Sequence, residues 1–162
     1  MTKVKEESIS LHDNHKKLLT KIDFIDTFST TNHINNLEDI SNLIFNTAPK
    51  WIETLFKIRN KVAKYIGLNS NMPLDYNEDF KVGGYIKFFK IHEIKEHHVV
   101  LGANDSHLNF RAIIYKNSLP QYNISVTTLV EYNNLKGKIY MTFIKPFHKL
   151  VVMRMVNNAY LP

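Results

Sequence analysis

The sequence predicts an α+β domain. Its curved antiparallel sheet has about six strands, with two helices in the first half of the chain and a C-terminal helix. Three observations carry this. Between Asp105 and His148 stand three stretches of strand-like patterning, DSHLNFRAIIY, QYNISVTTLVEY and GKIYMTFI. Between Leu37 and Gly67 apolar residues recur every three or four positions, the helical period. The closing segment KPFHKLVVMRMVNNAYLP has β-branched residues that favour strand, but Pro146 at its start and its length favour helix.

The elements follow in order. Residues 1–20 are charged and weakly patterned and are expected to form a mobile or weakly structured arm, leaving 21–162 as a single domain. KIDFIDTFST is a first strand, with Ile22, Phe24 and Phe28 on one side. Leu37, Ile40, Leu43 and Ile44 mark a helix that Asn35 or Asn36 caps. Pro49 opens a second helix and Gly67 closes it, and its face of Trp51, Leu55, Ile58, Val62 and Ile66 is expected to pack on a sheet. Lys50, Lys57, Lys61 and Lys64 form a separate, solvated stripe. YIKFFKI and IKEHHVVLG make a hairpin with its turn near His92-Glu93, and NNLKG at 133–137 makes another. The final helix is apolar almost all round, so it is expected to be largely buried.

The composition excludes several function classes. The 162 residues are 44% hydrophobic and suit one domain with a sizeable core. With no cysteine, disulfides, thiolate metal sites and a cysteine nucleophile are ruled out. The net charge is +6, yet only Arg59, Arg111 and Arg154 are arginines among 21 basic residues, and the lysines are spread along the chain. A nucleic-acid site concentrates its cations and favours arginine, so none is expected. No apolar run reads as a signal peptide or a membrane span, so a soluble, cytoplasmic protein is expected. The histidines lack ligand spacing, so no metal is expected. Gly83-Gly84 is not a dinucleotide loop, so no cofactor is expected either. Ser41, Ser118 and Ser125 stand in no nucleophile context, and no catalytic residue is assigned.

The order of elements is similar to the helix-grip arrangement of START-like proteins, in which a curved sheet wraps a C-terminal helix and leaves a cavity. More specifically, PKWIETLFKIRNKVAKYIGL, VVLGANDSHLNFRAIIY, TTLVEYNNLKGKIYMTFIKPFHKLVV and VNNA resemble the bacterial family labelled domain of unknown function 2867. That resemblance implies the helix-grip fold by extension and brings no established activity. Some relatives are attached to a nicotinamide-binding reductase module, which is not expected here.

The functional expectation is a binding module. A small hydrophobic or amphipathic molecule would sit between sheet and C-terminal helix, against Phe88, Tyr115, Tyr140 and Phe143, with Arg59, His107 or Arg111 as polar anchor. On one strand Leu108, Phe110, Ala112 and Ile114 share a face, and His107, Asn109, Arg111 and Ile113 share the other. The apolar set is the more natural interior, which leaves the His107/Arg111 set on the wet side unless a cavity lies there. Arg59 falls within the apolar face of its helix and needs a partner for its charge. Two alternatives stand beside the binding module. One is a cyclase- or isomerase-like enzyme with a His/Arg pocket. The other is an accessory subunit that pairs with itself or with a reductase, using an open Tyr85-to-Phe89 edge.

Overall fold

The computed structural model describes residues 2–8, 13–47, 49–65 and 73–162. The side chains at 13, 14, 56, 59, 62, 63 and 65 are not included. Its elements are β1 (Val4–Glu6), α1 (Asp13–Lys16), β2 (Phe24–Thr30), α2 (Leu37–Phe45), α3 (Lys50–Tyr65), β3 (Tyr85–Ile86), β4 (Phe89–Ile94), β5 (His98–Asn104), β6 (Leu108–Lys116), β7 (Ile124–Tyr132) and α4 (Leu135–Asn158). The strands form one seven-stranded sheet in the order β1-β2-β7-β6-β5-β4-β3, every pair antiparallel. The fold is α+β, a curved sheet with a C-terminal helix packed on it, as the helix-grip reading requires.

Period-two patterning sorts the two faces as expected. Ala112 and Ile114 of β6 join Phe28, Val99, Leu101 and Val126 in the main core, which takes Ile40 and Ile44 from α2 and Met155 and Val156 from α4. Leu108 and Val130 continue that face under Tyr140 and Met141 of α4. On the other face Val100, Ile113 and Leu129 are covered by Leu19, with Leu18, Ile22 and Ile25 beside it. Helix α2 starts where its cap predicts, with Asn36 Oδ1 accepting from the Asp39 N–H at 2.8 Å.

A polar clasp fixes the end of the chain. Asn32, fully buried, donates from Nδ2 to the Ala159 carbonyl at 2.8 Å. Its backbone exchanges two bonds with the Asn123 amide, each 2.8 Å. The Leu161 N–H donates to the Thr31 carbonyl. Each of these buried groups would cost about 1–3 kcal/mol if left unpaired.

The structure corrects several expectations. GKIYMTFI is helix, not strand, and NNLKG is no hairpin turn: α4 begins at Leu135, capped by Asn134, and Pro146 lies inside it. Its β-branched and aromatic residues read as a strand locally. Tyr140, Met141 and Ile144, however, meet Leu108, Val130 and Phe24 at helical spacing, and that tertiary packing decides. The turn near His92-Glu93 is instead a bulge in β4, and the chain reverses after Lys95, whose N–H bonds the His98 carbonyl. YIKFFKI splits into β3 and β4 at Lys87, which takes a left-handed φ of 53°. Residues 1–20 include an edge strand, β1, and contribute buried His15 and Leu19. Helix α3 buries Ile52 and leaves Trp51 and Ile58 half-exposed, while Ile66 lies outside the described residues, as does the Val62 side chain. Helix α4 is not largely buried: a row of its apolar residues faces solvent.

Candidate functional site

Strand β1 ends at Glu6, opposite Phe28, so the Phe24-to-Asp26 stretch of β2 runs on without a strand on that side among the described residues. Helix α4 passes over the same stretch. The gap between them is a cleft of about 640 Å³, lined by Glu6, Ile22, Asp23, Phe24, Ile25 and Asp26 from the β2 side and by Thr142, Lys145, Pro146 and Lys149 from α4. Its walls combine apolar surface with charges of both signs, the usual makeup of a site for an amphipathic molecule.

Asp26 lines this cleft, and His148, outside the lining, packs against it. His148 Nε2 lies 3.1 Å from Asp26 Oδ2, and both side chains are more than four-fifths buried. The approach lacks hydrogen-bond alignment, and neither Asp26 Oδ1 nor His148 Nε2 has a hydrogen-bond partner among the described residues. Phe24 meets the His148 ring edge-on at 5.5 Å, which fixes the imidazole's plane. Lys145 Nζ stands 5.2 Å from the centre of the Phe24 ring, and Lys149 pairs with Glu6 at the rim. The arrangement can accept a hydrogen bond at the Asp26 carboxylate and hold an anionic group at Lys145 on the rim. Sequence reasoning missed this pair, because β2 and α4 lie at opposite ends of the chain and neither residue stands in a motif.

A family model for proteins of unknown function, DUF2867, matches residues 18–155. The chain belongs to that family. No curated protein and no solved structure matches it. In this DUF2867 chain the match includes every cleft residue except Glu6.

The residues singled out from sequence are dispersed over this DUF2867 fold. His107 is almost fully buried under the start of α4, with Nδ1 3.5 Å from Asp105 Oδ1 and its ring edge-on to Tyr140 at 5.1 Å. Arg111 lies on the face turned away from α4, opposite Leu129 in register. No hydrogen bond or ion pair joins it to His107. Its guanidinium donates to the Phe110 carbonyl at 2.8 Å and reaches the Ala103 carbonyl at 3.4 Å. It lies across Gly102, where a Cβ would come within 3.0 Å of Arg111 Cδ. Burial lowers the Arg111 pKa and Glu131 works against that. Tyr115 is also on the outer face, in a second cleft of about 450 Å³ with His15, Thr27, Tyr122 and Thr127. Phe88 and Phe143 are exposed. Arg59 is in α3, and its side chain lies outside the described residues. Of the seven, only His107 and Tyr140 touch each other in the contacts described.

No group of three or more potential metal ligands occurs among the described residues. No helix among them is long and apolar enough to cross a membrane.

Proposed function

We propose that this chain is a small-molecule-binding module whose ligand seats between β2 and α4. The supporting observation is the 640 Å³ cleft, apolar at Ile22, Phe24 and Pro146, with the Asp26 carboxylate in its lining and the Lys145 cation at its rim beside the Lys149–Glu6 pair. The fitting ligand is an amphipathic metabolite with an apolar body against Phe24 and Pro146 and an anionic end toward Lys145. A hydrogen-bond donor near its middle meets the Asp26 carboxylate.

Native mass spectrometry of freshly purified protein tests this. The wild type retains a small-molecule adduct that denaturation releases. Thr142 is exposed at the cleft wall, so Thr142→Trp fills the cleft without disturbing the core, and the adduct disappears while the melting temperature holds. A wild type that carries no adduct, or an adduct that persists unchanged in Thr142→Trp, refutes the assignment.

A further inference from the structure

Helix α4 presents an apolar stripe that no described residue covers. Leu135, Ile139, Phe143, Phe147 and Leu150 are 70%, 50%, 73%, 54% and 60% exposed. At about 100° per residue they fall within a sector of about 120°, so they form one continuous strip along the helix. Two phenylalanines and three aliphatic residues left in water at this density mark a contact surface, since isolated exposed apolar residues are ordinary but a row of them is not.

The charge on the same helix identifies what covers the stripe. Helix α4 contains no Asp or Glu, and its five basic residues, Lys136, Lys138, Lys145, Lys149 and Arg154, are all exposed. On the helical wheel Lys136 and Arg154 emerge within the apolar sector, and the other three flank it. A second copy of this chain docked through the same face would set like charges against each other. A basic protein partner meets the same penalty, and a neutral one leaves the cations without counter-charge. An anionic bilayer surface satisfies both halves of the pattern, taking the apolar residues at the headgroup boundary and the cations at the lipid phosphates. Helix α3 repeats the combination, with half-exposed Trp51 and Ile58 beside exposed Lys50, Lys57, Lys61 and Lys64.

We propose that α4 is a membrane-surface anchor, seating its Leu135-to-Leu150 stripe in the headgroup region of a bilayer rich in anionic lipid. The helix lies along the surface rather than spanning it.

Co-flotation with vesicles provides the test, comparing phosphatidylcholine alone with phosphatidylcholine mixed with phosphatidylglycerol. The wild type floats with the mixed vesicles and much less with the zwitterionic ones, and added salt weakens the association. Phe143→Ser combined with Phe147→Ser reduces partitioning by at least ~10-fold, from the apolar area withdrawn from lipid. Lys136→Glu combined with Arg154→Glu reduces it by at least ~5-fold per cation. Leu150→Ser gives an intermediate loss and serves as the second apolar variant should the double substitution alter melting. None of these positions lines the β2–α4 cleft, so the adduct there survives in all of them. Three outcomes overturn the proposal. They are absence of flotation with the anionic vesicles, equal flotation of the wild type and the apolar variants, and a wild-type dimer in sedimentation velocity that Phe143→Ser/Phe147→Ser converts to monomer.

Discussion

His92 shows how one position on the sheet titrates. Its pKa is pushed down, first by burial, then by the Arg111 and Lys90 cations, against a small opposing effect from the Gly102 backbone. The folded protein therefore resists a proton that the unfolded chain accepts near the ordinary value of about 6.5. Stability from this residue is fully present above about pH 6.5 and is lost as pH falls through the lower, folded value. His92→Gln removes that loss, so between about pH 7 and 5 the variant's urea midpoint declines less than the wild type's. Parallel profiles for the two proteins would count against the account. The same residue marks a limit of sequence reading. An isolated histidine before a glutamate reads as a turn, and only pairing against Val100 and Leu101 reveals a bulge. By contrast, the inward set Leu108, Phe110, Ala112 and Ile114 was legible, because strand alternation is a purely local rule. The Asp26/His148 pair was not, since proximity created by folding leaves no trace in spacing.

At the scale of elements, legibility followed the balance between local signals and tertiary packing. Helix α2 carried its own cap and period, and its bounds match the sequence reading. The first half of α4 read as a strand, from its β-branched and aromatic residues, with NNLKG as a turn, in conflict with the helix that forms. Gly137 is the residue that resolves the conflict. A Cβ there would stand 1.9 Å from the His107 carbonyl oxygen, so the first turn of α4 presses on the β5–β6 turn as closely as only glycine allows. In an exposed helix, Gly→Ala stabilises by up to ~1 kcal/mol. Here the sign reverses: Gly137→Ala forces α4 away from His107 and destabilises the fold by about 1–3 kcal/mol. Denaturant unfolding measures it, and a neutral or stabilising result would show that the close approach is not required. The displacement also loosens the Tyr140 contact with His107.

For the molecule as a whole, the distribution of buried side chains sets the order in which parts open. Strands β6 and β7 lie at the centre of the sheet and bury residues on both faces, Ala112 and Ile114 on one, Ile113 and Leu129 on the other. Helix α4 is held at one end by Tyr140 and Met141 and at the other by Met155, Val156 and the Asn32–Ala159 clasp. Helix α3 is different: among its described side chains Ile52 alone is buried, and its interior contains no proline or glycine to weaken its own ladder. Among the described side chains its amides thus have Ile52 as their one buried support, and an isolated helix of this length is marginal in water. Native-state hydrogen exchange follows from this. Amides of α3 exchange first, through local opening, those of the second half of α4 follow, and those of β6 and β7 exchange only with global unfolding. Under denaturant the β6 and β7 amides track the global stability while the α3 amides stay flat. Protection of α3 equal to that of β6 would mean that it folds as one unit with the sheet, and the hierarchy drawn from burial would not hold.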